Sequence, residues 1–395
     1  MKILLCHNYY QNPGGESEVF EAEVQGLQSM GDMPVIYARK NAEIEQLSAT
    51  GKVGLFFSAY HSHRTVNELQ DIIQRERPSV AIVQNVFPLL TPSIYLALKA
   101  AHIPTIQAVY NYRLVCPSAE LFTQGQICER CVPGNTIHAV LHKCYRESYI
   151  ESAWYASIIG FHRYAGTFSD SITSFMVPDH FLGDKLIEGG IPASKIWRNP
   201  NPFFVKEYQP HPQHEGYVLY VGRLVRQKGI MTLLNAMKHC RHHTRLVIVG
   251  RGELADQIQE TIRSTGLAER VHFTGPLWGE EVTRLMKNCA AVVIPSEWYD
   301  NLPMILCRAN AMGKPVIASR INGIPEYVQE EINGYLFEPG NAVELASFIE
   351  LVLGLSSADY VKLSNSTRQF AEDFLDYPNH YANLMDEIQK LTNGT

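Results

Sequence analysis

No stretch of the 395 residues approaches the ~20 consecutive apolar positions that a membrane-spanning helix needs, so membrane contact is expected only at the periphery, on the inner face. Basic charge is also short. Lys and Arg number 34 against 40 Asp and Glu, giving a formal net charge of −6 and a pI near 6.2, hence no overall attraction to nucleic acid, whose binders usually carry a strongly basic face. The fingerprint Gly-x-Gly-x-x-Gly is absent, which counts against a dehydrogenase. No Asp-x-Asp occurs either, so the usual carboxylate clamp for a divalent ion on a diphosphate is missing. No internal repeat or low-complexity tract interrupts a balance of 46% hydrophobic and 19% charged residues, and the whole chain is expected to fold. The apolar start at Met1 to Leu5 ends at His7 and Asn8, too soon for a signal peptide; it reads as a buried first strand, with the cytoplasm as the expected location.

Eight cysteines in a chain without a leader argue for reduced thiols rather than a disulfide framework. Four are grouped, Cys116, Cys128, Cys131 and Cys144, and thiolates at such spacing can converge on one zinc ion. Four reduced thiols in a loop-rich segment is the preferred reading, and no metal is assigned.

What is present is length and alternation. At 395 residues two domains are expected, with a cleft between them. Short apolar runs alternate with amphipathic stretches throughout, the pattern of an α/β chain with parallel sheets. Ile3 to Cys6, Val80 to Val83 and Thr105 to Val109 read as strands, and Phe20, Val24 and Leu27 as a helix face that stops at Gly31. From Cys116 to about Tyr164 a cysteine- and aromatic-rich stretch reads as an insertion at the cleft rim. Prolines at 192, 200, 202, 210 and 212 stiffen a linker. Beyond it Tyr217 to Val221, Arg245 to Val249, Val271 to Thr274, Ala290 to Ile294, Val316 to Ala318 and Gly334 to Phe337 read as strands, and Ile230, Leu233, Leu234 and Met237 line one helix face.

Three loops carry chemistry. Gly14 and Gly15 precede a helix beginning near Glu16, where a phosphate can approach backbone N–H groups; Pro13-Gly14-Gly15 as a plain tight turn is an equal alternative. Val221 to Gly229 places Arg223 and Lys228 on the loop leaving a strand's carboxyl end, where a fork and a point charge together offset a diphosphate, or form a solvated basic loop. Pro295 to Pro303 joins a strand to a helix that Pro303 is suited to start. Asp300 is its acid best placed to accept from sugar hydroxyls, or else a helix-cap carboxylate.

Taken together, the phrases NPGGESEVF (12–20), VQNVFPLLTPSI (83–94), YNYRLVCP (110–117), VGRLVRQKG (221–229), IVGRGEL (248–254), VHFTGPL (271–277) and PSEWYDNLPMILCRANAMGKPVIAS (295–319) resemble the retaining family 4 glycosyltransferases of the GT-B fold. The resemblance covers nearly the whole chain. It implies two Rossmann-like domains, 1–205 on the acceptor side with the final helix 377–395 packed back on it, and 206–376 binding the nucleotide sugar, with a cleft that closes for reaction. It further implies that Arg223 and Lys228 neutralise the diphosphate, that Gly15 lies near it, that Gly250 belongs to the donor site, and that Phe273, Thr274 and Pro276 read the base. Backbone around Asn301, Leu302 and Pro303 would meet phosphate or sugar oxygens, and Asp300 would hold the donor sugar as the first acid of the family's Glu-x7-Glu element.

Two positions depart from the family pattern. The second acid of that element, which holds the ribose hydroxyls, is replaced by Arg308, which has no acceptor for them. The histidine before Asn-Tyr-Arg is replaced by Tyr110, able to bond a sugar hydroxyl but neutral. The implied activity is metal-independent, retaining transfer from a UDP-sugar, glucose being the family expectation, to a carbohydrate or lipid-linked saccharide in exopolysaccharide or cell-envelope assembly. A nucleotide-sugar epimerase on the same fold and a non-catalytic binding homologue are the competing readings.

Overall fold

Runs buried at every position, such as Val80–Val83 and Ala291–Ile294, suit parallel sheets, since only a sheet covered by helices on both faces asks for unbroken apolar strands. In the computed structural model, which describes residues 1–11 and 14–393, the chain divides into Met1–Pro202 with Tyr377–Thr395, and Phe203–Asp376.

The first unit contains β1 (Lys2–Tyr9), β2 (Met33–Lys40), β3 (Val80–Val83), β4 (Thr105–Ala108), a ribbon of β5 (Phe122–Thr123) and β6 (Gln126–Ile127), then β7 (Ser174–Val177) and β8 (Ile196–Arg198). Its main sheet is parallel throughout in the order β2-β1-β3-β4-β7-β8. The second unit contains β9 (Tyr217–Val221), β10 (Arg245–Val249), β11 (Val271–Gly275), β12 (Ala291–Ile294), β13 (Val316–Ser319) and β14 (Gly334–Phe337), parallel in the order β11-β10-β9-β12-β13-β14. Apolar cores cover both faces of this sheet.

Sequence periodicity misses β2, β7 and β8. The first and last are edge strands, mostly half-exposed, so they lack a continuous apolar run. The segment expected as an irregular insertion is corrected in part: Tyr149–Tyr164 is a regular helix that buries Ser152, Tyr155, Ile158 and Ile159.

The last helix, Tyr377–Asn393, packs within the first unit and places Leu384 and Ile388 in its core. Tyr377 lies so close to Gly26 that a Cβ there would stand 1.9 Å from its ring. His380 Nε2 meets the fully buried Glu23 carboxylate at 2.9 Å, and Nδ1 lies 2.7 Å from the Pro200 carbonyl oxygen. Burial lowers the His380 pKa, but the charge and hydrogen bond of Glu23 and the Pro200 carbonyl outweigh it, leaving the pKa raised. A raised folded pKa stabilises fully below the unfolded histidine value of about 6.5, and the contribution is lost as pH rises through the folded value. His380→Leu is expected to destabilise the chain by about 3–5 kcal/mol, because it strands a buried carboxylate. Urea unfolding across pH checks this: the midpoint should fall with rising pH in the parent and lose that component in the variant.

Candidate functional site

A parallel sheet sends every loop that follows a strand out of one edge. In the second unit the strand order reverses between β9 and β12, the place where open α/β sheets bind ligands. The loops after these two strands are Gly222 to Gly229 and Pro295 to Pro303, and backbone contacts clamp them together. The Glu297 N–H donates to the Gln227 carbonyl at 2.8 Å. Gly229, at φ +65, comes so near that a Cβ would stand 1.7 Å from the Pro295 oxygen. Gly250 approaches the first loop equally closely, a Cβ there falling 2.0 Å from the Gly222 oxygen. Only glycine permits these approaches.

This clamp brings Lys228 and Asp300 together. Lys228 Nζ lies 2.5 Å from Asp300 Oδ2, to which the Ser296 hydroxyl also donates at 3.0 Å. Asn322 Nδ2 donates to the Asp300 carbonyl at 2.7 Å. Lys228 and Arg223 stand over the Trp298 ring, 5.5 and 6.0 Å from its centroid. Asp300 is only 9% exposed. Sequence reasoning gave Lys228 and Asp300 separate tasks; here they neutralise each other, which leaves Arg223, exposed and in no ion pair among the described residues, as an unbalanced cation beside Trp298. Nor does Asp300 cap the following helix. That helix, Met304–Ala311, starts one residue after Pro303, which holds the cap position.

Asn301 and Leu302 lead into the helix, Leu302 anchored in the core. Arg308 sits in its second turn, half-buried. Phe273 and Thr274 end β11, two strands from β9, with Pro276 next after the strand's last residue. The Thr274 hydroxyl donates to the carbonyls of Ile248 and Gly275, at 3.2 and 2.9 Å. Phe273 to Pro276 therefore leaves the same sheet edge as Gly250, Arg223 and Asp300. The supporting residues Ser296, Trp298 and Asn322 were not assigned from sequence. Trp298 and Ser296 stood inside a quoted phrase, whereas Asn322 carried no local signal.

In the first unit the order reverses between β1 and β3. Gly15 opens the helix Gly15–Ser29 after an extended Gly14, whose carbonyl accepts from the Ser17 and Glu18 N–H groups at 3.0 and 3.3 Å. The Asn12 and Pro13 of the glycine phrase lie outside the described residues. Tyr110 follows β4 by two residues. Burial, with the charges of Glu23 and Glu16, pushes its phenol well above the ordinary value, so it is neutral. Asn111 donates to Glu16 at 2.7 Å, and the Arg113 guanidinium lies 4.8 Å from the Tyr155 ring centroid.

Among the described residues no three His, Cys, Asp or Glu side chains are placed to hold a metal ion. All eight cysteines are free, and Cys131 packs with Ala139, Ala156 and Cys144. Burial, reinforced by the thiols of Cys116, Cys144 and Cys128, pushes the Cys131 thiol up to about 12. No described helix is long and apolar enough to cross a membrane.

Residues 204–370 match the family model described as glycosyl transferases group 1, nearly the whole second unit. An uncharacterized glycosyltransferase of Methanocaldococcus jannaschii is 36% identical over 141 residues, covering 35% of this chain and 36% of that protein. The amylovoran biosynthesis glycosyltransferase AmsK of Erwinia amylovora is 28% identical over 223 residues, 52% of this chain and 54% of its own. The chain thus spans about a third to a half of the length of these relatives. Anabaena HepE, solved in complex with UDP, superposes with a TM-score of 0.71 at 16% identity, over 99% of this chain and 100% of its own. HepE has also been solved with UDP-glucose. The architecture, two Rossmann-like parallel-sheet domains, is that of the GT-B fold.

Proposed function

We propose, from the premise that the second unit of this GT-B chain is a group 1 glycosyl transferase domain, that the protein is a retaining, metal-independent glycosyltransferase using a UDP-sugar, with glucose the first candidate. The observation carrying the reading is the set of Arg223, Lys228 and Asp300 gathered at the β9/β12 reversal, in front of the helix Met304–Ala311. A departing diphosphate needs preorganised positive charge. Arg223 supplies a fork, the helix N-terminus exposed amides, and Lys228 a point charge once Asp300 turns to the sugar hydroxyls. Front-face attack with a phosphate oxygen accepting the acceptor's proton needs no further base. Acceptors would be carbohydrates or lipid-linked saccharides of envelope or exopolysaccharide assembly, a reading supported by the name of AmsK. The first unit would present them, with Gly15 near the diphosphate.

Calorimetry against UDP-, GDP- and ADP-sugars, followed by time-resolved product analysis without acceptor, tests this. Slow hydrolysis of a bound UDP-sugar is expected. Full conversion of the donor would instead assign an epimerase, and binding without turnover a non-catalytic homologue. Arg308→Glu, which installs the acceptor for ribose hydroxyls, should tighten UDP binding about 10- to 150-fold, the worth of one charge-assisted hydrogen bond. Calorimetry with UDP checks it, and an unchanged affinity would place Arg308 outside the nucleotide site.

A further inference from the structure

The first unit holds a polar pocket that no residue of the second unit lines. At the carboxyl ends of β3 and β4 a cavity of about 30 Å³ is lined by Glu16, Gln84, Asn85, Gln107, Tyr110 and Arg113 among others. Gln84 is only 5% exposed, yet neither the nitrogen nor the oxygen of its side-chain amide has a hydrogen-bond partner among the described residues. Its neighbours are committed elsewhere. Gln107 Nε2 donates to the Gln84 and Ala108 carbonyls, each at 2.8 Å, and its oxygen accepts from Tyr95. Asn85 donates to the Asn8 carbonyl at 2.7 Å and accepts from the Phe87 N–H at 3.1 Å. Arg113, 8% exposed, donates through Nη1 to the Pro117 carbonyl at 3.0 Å but leaves Nε unsatisfied. An amide buried without a partner lowers stability, and a hydroxyl-sized group in the cavity would satisfy it.

We propose that Gln84 and Arg113 recognise one or two hydroxyl groups of a carbohydrate, a hydroxymethyl arm or a vicinal diol, that enter this pocket. The cavity suits that size: a water-sized group needs roughly 10–15 Å³ by the same kind of measure, so one or two hydroxyls fit and a sugar ring does not. The polar groups suit it as well. A neutral polyol meets in Gln84 an amide that both donates and accepts, as a hydroxyl does, and in Arg113 a donor whose Nε is unsatisfied among the described residues. The pocket adjoins the β1/β3 reversal of the first sheet, where an α/β sheet receives its ligand. The inference rests on the glycosyl-transfer reading and adds the residues that read sugar hydroxyls in the first unit.

Saturation-transfer NMR on the full chain with the methyl glycosides of glucose, galactose, mannose and N-acetylglucosamine tests it, alongside Tm and calorimetry with UDP. In the parent at least one glycoside should show transfer concentrated on a hydroxyl-bearing edge. Gln84→Leu should weaken that binding about tenfold or more, raise Tm by removing the unpaired amide, and leave UDP affinity unchanged. Gln84→Met repeats the measurement should the leucine variant fold poorly. Absence of transfer from all four glycosides to the parent overturns the proposal. So does equal binding by the variant, with or without a fall in Tm, since Gln84 would then be structural. Loss of UDP binding by the parent would instead count against the donor reading, and the glycoside signals still decide this one.

Discussion

Lys228→Ala is expected to lower kcat/KM for transfer about 10²–10³-fold, the usual effect of deleting one preorganised group that meets developing negative charge. Two consequences combine in this variant. The cation is lost, and the Asp300 carboxylate, 9% exposed and bonded to Ser296, loses its 2.5 Å partner. Arg223→Ala removes only the exposed cation over Trp298 and should cost a similar factor in turnover with no loss of Tm. Steady-state kinetics with the donor identified by calorimetry, together with thermal melts, separates the two. Unchanged turnover in both variants would contradict the assignment of the donor site to this sheet edge.

Gly229→Ala should be the most damaging small substitution in the second unit. Its backbone, at φ +65, is one that alanine adopts at a cost of about 1–2 kcal/mol, and the added carbon would sit 1.7 Å from the Pro295 oxygen. The loops must separate, at a further cost of about 1–3 kcal/mol typical of overpacking, and Lys228 moves away from Asp300 with them. A Tm loss and near-complete loss of transfer are expected together. Gly14→Ala is the control: no heavy atom lies within 4 Å of its Cβ position and its φ of −142 is ordinary, so stability should change by less than about 0.5 kcal/mol. A Gly229→Ala protein as stable and active as the parent would show that the close approach is not needed.

How much of this was legible beforehand differs by element. Val80–Val83, Tyr217–Val221, Arg245–Val249 and Gly334–Phe337 were readable to the residue, because strands buried in a parallel sheet must be apolar and short, and local sequence carries that. The edges β2 and β8, half-exposed, carried no such mark. Arg223, Lys228 and Asp300 were singled out as candidates through their loops, which follow strands and hold glycine or proline at the turns. Gln84, Glu16 and Arg113 were not assigned, since a buried amide without a partner looks in sequence like any surface glutamine.

The amino-acid order by itself determined the α/β alternation and the polar loops at strand ends, because each depends on residues adjacent along the chain. Only the tertiary structure decided that Lys228 and Asp300 pair across 72 positions, that His380 closes on Glu23, and that the Gln84 amide is buried with no partner among the described residues. Those outcomes depend on which strands lie side by side and how nearly two backbones approach. Distances of that kind are set by packing between elements far apart in sequence, where composition and periodicity carry no information.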